Sequence, residues 1–191
     1  MINAAVGHLA GRLNEHLKQA YTLTDDIVTM SGLVDLNGQA VANTNNRLVV
    51  ILTHIERDTG PVRKGIPGDA GASHLSVGVA PLYLNLYVMV AANFTGGNYE
   101  DALKLISGAI AFFQRNPVFD RRSSPSLDPR IDRLVLEIEN LNIRELSNLW
   151  TMLGGKYLPS VLYKVRLMAP DTDDITGTVP TVRAPVPVLN H

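Results

Sequence analysis

Residues 134–167 read LVLEIENLNIRELSNLWTMLGGKYLPSVLYKVRL, a strand, a helix and a strand in immediate succession. Leu134, Leu136 and Ile138 alternate with Val135, Glu137 and Glu139, the period-two pattern of a strand with one dry face and one wet face. Asn142 followed by Glu145 is the Asn form of a capping box, which opens a helix by satisfying backbone N–H groups that have no intrahelical partner. Leu146, Leu149, Trp150 and Leu153 then recur at helical spacing, so Trp150 is expected in the core, and Gly154-Gly155 closes the helix. Val161, Tyr163, Val165 and Leu167 restore the period of two. A short helix between two strands requires a sheet with helices packed on it.

The remaining chain extends this pattern. Ile2, Val6, Leu9, Leu13 and Leu17 form one stripe of an N-terminal helix that ends by Thr24–Asp26. Strand-like sequence begins at Ile27–Val34, and Asn37-Gly38 predicts a two-residue hairpin. In Leu48–Ile55 both parities are apolar, which predicts a central strand covered on both faces. Leu82, Leu84, Leu86, Val88 and Val90 alternate with Tyr83, Asn85, Tyr87 and Met89 in a further strand. Asn98 and Asp101 predict a second capped helix with Leu103, Ile106, Ile110 and Phe113 buried, and Gly108 inside it implies a close approach. Asn116-Pro117 stops that helix, and an Arg-, Ser- and Pro-rich connector runs from Asp120 to Arg130. The predicted order is α-β-β-β-α-β-α-β. The fold class is α+β: one domain over residues 1–170, three helices on a mostly antiparallel or mixed sheet, then an extended Pro-containing tail over 171–191.

Composition removes several function classes. The chain has 191 residues, 17 Lys and Arg against 18 Asp and Glu for a net charge of −1, and no cysteine. That balance disfavours a nucleic-acid partner, and without cysteine there are no disulfides, thiolate metal sites or cysteine nucleophiles. The apolar runs are about ten residues long, too short to span a bilayer, and no signal-peptide pattern opens the chain, so a soluble protein made in the cytoplasm is expected.

Chemical motifs are sparse. His8 and His16 are eight positions apart, off the i, i+4 register of a helical zinc pair. His54 and Glu56 share a strand face but lack an evident third ligand, so no metal is expected. Gly65, Gly68 and Gly71 fit neither phosphate-binding glycine pattern, and Ser73-His74 lacks the G-x-S-x-G context of a nucleophile elbow. Glu137 and Glu139 lie about 7 Å apart on one face, more simply a solvated strand than a glycosidase pair. Asp171, Asp173 and Asp174 begin like a calcium loop, but Ile175 and Thr176 occupy the positions where an oxygen ligand and a glycine are needed. No cofactor and no catalytic residue are expected.

Three segments taken together carry a resemblance: Tyr83–Phe94 (YLNLYVMVAANF), Asn98–Phe119 (NYEDALKLISGAIAFFQRNPVF) and Leu134–Leu167. Their order resembles the N-terminal domain of the tail-terminator, or cap, proteins of phage-tail-like contractile injection systems, such as the antifeeding prophage and the Photorhabdus virulence cassettes. The resemblance covers most of residues 1–170 and implies an architectural role. A ring, six-fold by analogy, would sit on the distal end of the inner tube and sheath and end their polymerisation. Its implied partners are further copies of the chain and the sheath and inner-tube proteins of a particle assembled in bacteria, with no membrane segment of its own. Another structural adaptor of the same particle is the alternative. A small hydrolase or nucleotide-binding enzyme using the Gly-rich segment with His54, His74 or Glu56 is the alternative from a different class.

The candidate contact residues follow. Tyr83, Tyr87 and Met89 occupy the less apolar strand face, where tyrosines suit an interface. Arg121 and Arg122 stand in the polar connector. In the tail, Val182, Ala184, Val186 and Val188 share one parity and Pro185 and Pro187 the other, so an extended arm could bond to a sheet edge with both prolines turned away.

Overall fold

A computed structural model describes residues 1–35, 37–58, 74–76, 82–169 and 178–180. In chain order the elements are α1 (Ile2–Tyr21), β1 (Val28–Met30), β2 (Arg47–Arg57), β3 (His74–Ser76), β4 (Tyr83–Asn93), α2 (Tyr99–Arg115), β5 (Val118–Asp120), β6 (Arg133–Ile138), α3 (Ile143–Met152), β7 (Ser160–Met168) and β8 (Thr178–Pro180). Six strands form one sheet in the order β1-β2-β4-β7-β6-β5, with β1 parallel to β2 and every other pair antiparallel. The sheet is therefore mixed. A separate antiparallel pair joins His74–Ser76 to Thr178–Pro180.

The two faces of the sheet are covered unequally. On one face, Val6, Leu9, Leu13 and Leu17 of α1 and Leu105, Ile106, Phe112 and Phe113 of α2 meet Leu48, Val50, Leu86, Val88, Val90, Val165 and Leu167 in the main core. On the other face, α3 covers a smaller cluster of Val49, Ile51, Met89, Ala91, Leu162 and Trp150. β2 and β4 feed both clusters through alternate residues, which is why both parities of β2 are apolar.

Several local expectations change. The buried stripe of α2 is Ala102, Leu105, Ile106, Ala109, Phe112 and Phe113, and Leu103 is 41% exposed. Ile106 and Phe113 are buried as expected, but the face is turned so that Ala102, Leu105, Ala109 and Phe112 complete it and Leu103 does not. Gly108 explains part of that rotation: a Cβ there would lie 3.0 Å from Leu17 Cδ2, so α1 and α2 approach closely at this point. Asn98 occupies the N-cap of α2 but makes no side-chain capping bond; its φ of −93° and ψ of 20° depart from the extended backbone that caps usually adopt. By contrast, α3 has the complete capping box, with Asn142 Oδ1 accepting from Glu145 N–H at 3.0 Å and Glu145 Oε2 accepting from Asn142 N–H at 3.1 Å.

The hairpin at Asn37-Gly38 is also different. Only Gly38 has positive φ, at 75°, and a single bridge, Val34 to Ala40, stands in place of paired strands. The Asp35 carboxylate accepts from the N–H groups of Asn37 and Gln39, each at 2.8 Å, and so takes over bonds a strand ladder would make. Strands β3, β5 and β8 are absent from the sequence-derived order. Each has three residues, too few for a period to be recognised.

His8 and His16 each pack on an aromatic ring, Phe119 edge-on at 5.7 Å and Phe112 stacked at 4.8 Å. His8 Nε2 is buried without a hydrogen-bond partner among the described residues. Burial first, then the nearby Arg12 charge, hold its pKa below the ordinary 6.5, partly offset by Glu15. A depressed folded-state pKa means that the folded protein binds this proton less readily than the unfolded chain. This contribution to stability is complete above pH 6.5 and is lost as pH falls through the folded value. The melting temperature should therefore drop on acidification below pH 6.5, and His8→Gln should flatten that drop; equal slopes in both proteins would contradict this role.

Candidate assembly surfaces

Among the described residues α3 covers only part of this face of the sheet, and the part beyond it is polar. Cross-strand register places Glu56 of β2 beside Asn85 of β4, which in turn faces Arg166 of β7. The next row is His54, Tyr87, Lys164 and Glu137, one residue from each of β2, β4, β7 and β6. A β-bulge between Leu52 and His54 restores His54 and Glu56 to this face, since Ile51 on the other side of the bulge also belongs to it.

Tyr87 Oη donates to Glu56 Oε1 at 2.8 Å, and Asn85 Nδ2 lies 3.4 Å from the same oxygen. The bond to the Glu56 carboxylate, followed by burial, pushes the Tyr87 phenol up to about 12, and the same bond holds the Glu56 carboxyl below its usual range. Lys164 Nζ stands 5.9 Å from the centre of the Tyr87 ring, and Asp58 pairs with Arg166 at 2.9 Å. Tyr87 is thus fixed, with its hydroxyl already bonded within the chain. Tyr83 is half-buried at the start of β4. Met89 is 1% exposed beneath α3, so the surface role expected for it is corrected: its row of the sheet is the one that α3 covers.

The connector after β5 forms a polar hollow of about 350 Å³ between Asp120, Arg121, Arg122, Asp132 and Arg133. It is ordered by its own side chains. Asp120 Oδ1 accepts from the N–H groups of Arg122 at 3.0 Å and Ser123 at 2.8 Å, and its carboxyl is held below the usual range chiefly by those Ser123 bonds. Arg121 donates to the carbonyl of Pro129, and Arg130 grips Asp128 through two bonds of 3.0 and 2.7 Å. The Arg122 guanidinium makes no hydrogen bond or ion pair among the described residues and faces solvent. Val182, Val186 and Val188 lie outside the described residues.

Sequence reasoning missed the apolar outer surface of α3. Ile143 is 87% exposed and Tyr157 63%, and both line a hollow of about 290 Å³ with Leu146, Ser147, Trp150 and Thr151. Ile143 carried a signal: it flanks the stripe of Leu146 and Trp150, yet it falls in the first turn, ahead of the residues that reach the sheet.

Of the residues weighed for an enzyme using the Gly-rich segment, His54 and Glu56 are the ones whose side chains can be placed among the described residues. His54 Nε2 and Glu56 Oε2 are 4.0 Å apart, and among the described residues no group of three potential metal ligands exists. Glu137 lies opposite Lys164 on a flat strand face. Gly65, Gly68, Gly71, Ser73, Asp171, Asp173 and Asp174 lie outside the described residues, and His74 is described only as part of β3. No helix of the described residues is long and apolar enough to cross a membrane.

Residues 6–184 match the Pvc16 N-terminal domain, a span that takes in both sheet faces, all of α2 and α3 and most of α1. The chain belongs to the Pvc16 N-terminal domain family. No curated protein matches it by sequence. Solved structures share the fold, among them the following two. One is the PVC sheath/tube terminator of an extracellular contractile injection system in its extended state, at 15% identity and a TM-score of 0.57. The other is the anti-feeding prophage cap, described as the AFP tube terminating cap, at 17% identity and a TM-score of 0.59. The alignments cover 96% of this chain in both cases but only 62% and 60% of the solved chains. This Pvc16 N-terminal domain therefore spans about three fifths of their length. The fold class expected from sequence, α+β with three helices on a mixed sheet, is the one these structures have.

Proposed function

We propose that this chain is the ring-forming domain of a sheath/tube terminator: copies associate head to tail on the distal end of a contractile injection particle and end its polymerisation. The observation that carries the reading is the family match over residues 6–184, joined to a fold shared across 96% of the chain with two terminating caps. The surfaces of the described residues agree with an architectural role. Polar side chains in the connector and on the open half-sheet are bonded to one another, while Ile143, Tyr157 and the Arg122 guanidinium are left to face outward. The protein acts by contact, with itself and with sheath and tube proteins, and its working location is the assembled particle after synthesis in the bacterial cytoplasm.

A ring requires two different patches that meet repeatedly around a rotation axis and close. Mass photometry at rising protein concentration, alone and with tube and sheath fragments, should show a discrete closed oligomer, with six copies the expected number. A species that stays monomeric and ignores both fragments would contradict the reading.

A further inference from the structure

The longest strand next to the sheet edge is only partly paired. β2 has eleven residues, yet β1 pairs with just Leu48, Val49 and Val50. Leu48 donates to the carbonyl of Ile27, and the carbonyl of Val50 accepts from Ser31, so even-numbered residues here point their backbone groups away from β4. By the same period Leu52 points outward. Beyond the bulge, Asp58 N–H bonds inward to the carbonyl of Tyr83, which leaves Ile55 and Arg57 pointing outward. Among the described residues no strand lies against this stretch.

The side chains of those outward residues settle the chemistry of an occupant. Leu52, Ile55 and Arg57 are registered with Val88, Leu86 and Leu84, so they project on the face that carries α1. There Ile2, Val6, Met30, Val50 and Leu52 line an open apolar hollow of about 450 Å³; Met30, registered with Val50, is 45% exposed, and Ile55, further along β2 on the same face, is 43% exposed. In an antiparallel pair, opposed residues share a face, so the residues of an added strand that bond to β2 must also be the apolar ones. Residues 182–188 read VRAPVPV: Val182, Ala184, Val186 and Val188 have N–H groups and apolar side chains, and the prolines fall on the other parity. One parity thus satisfies both requirements, and the prolines would block pairing on the far side.

We propose that the outer edge of β2, from Leu52 to Arg57, receives residues 182–188 of a second copy of this chain as an added antiparallel strand. Edge and arm are different surfaces of one chain, so the contact is heterologous and propagates around a ring. The inference rests on the self-association proposed above and is tested apart from it.

The absence of native cysteine makes the test direct. Ile55→Cys is placed in one tagged copy, and Val182→Cys, Arg183→Cys, Ala184→Cys, Val186→Cys or Val188→Cys in another. The mixture is treated with a short bifunctional maleimide, alongside mass photometry. Crosslinked heterodimers should peak at the one or two even positions that lie opposite Ile55 and form only weakly from position 183. Adding Ala184→Pro removes a bonding N–H and should lower their yield about tenfold, whereas Pro187→Ala should leave it unchanged. Copies that associate without this crosslink, or that crosslink with no preference of parity, would overturn the strand exchange and leave the ring intact. A further variant carries Ile55→Cys and Ala184→Cys in one chain, and crosslinking confined to single chains of it would likewise overturn exchange between copies. Copies that never associate would remove both.

Discussion

Trp150→Ala should destabilise the domain by roughly 3–5 kcal/mol, the cost of removing a fully packed aromatic side chain and leaving its cavity. Trp150 is 3% exposed and is the only residue of α3 to be fully buried. Its ring is the central side chain of α3 over Val49, Ile51, Met89, Ala91 and Leu162, flanked by the partly buried Leu146, Leu149 and Leu153, and it also meets Tyr157 edge-on at 5.8 Å. Its indole N–H has no partner among the described residues, so the loss is one of packing and not of a hydrogen bond. Trp150→Phe should accordingly recover most of the stability. Urea unfolding followed by circular dichroism measures both. A Trp150→Ala midpoint equal to that of the parent would mean that α3 contributes little to the fold.

Gly154→Ala should cost about 2–4 kcal/mol through two separate effects, backbone strain and overpacking. Gly154 has a φ of 109°, outside the range an alanine readily adopts, and a Cβ there would lie 2.9 Å from Val34 Cγ1. Gly155 has a φ of 75° with open space around it, so Gly155→Ala isolates the strain and should cost about 1 kcal/mol, near the lower end of the left-handed penalty. Adding Val34→Ala to Gly154→Ala should recover the overpacking part alone. If the double variant is no more stable than Gly154→Ala, the segment around Val34 does not press on the end of α3.

The sequence disclosed the elements whose period is long enough to count. α1, β2, β4, α3 and β7 lie where their apolar spacing places them, and the capping box of Asn142 and Glu145 marks the start of α3 to the residue. In α2, burial of Ile106 and Phe113 and the close approach at Gly108 follow from the sequence, whereas the part played by Ala102 and Ala109 does not, since small residues weigh little in an apolar pattern. The three-residue strands contribute register, not period, and register depends on partners far away in the chain.

The candidate surfaces were legible only in part. Tyr87 was correctly placed on the less apolar face, but its bond to Glu56 requires the bulge near Thr53, which nothing in the local pattern announces. Met89 looked exposed because its strand neighbours Asn85 and Tyr87 are polar, whereas α3 crosses that face one row later and buries it. The length of β2 without a neighbour among the described residues is a consequence of how short β1 is, and so belongs to the tertiary structure alone.

The central claim is that this domain ends a tube and its sheath. The most direct measurement is negative-stain electron microscopy of polymerising tube and sheath proteins, with and without the purified chain, with a label on the chain. The account predicts label at one end of each particle and a narrower, shorter length distribution as the chain is added. Label scattered along the tubes or at neither end, with lengths unchanged, would contradict it.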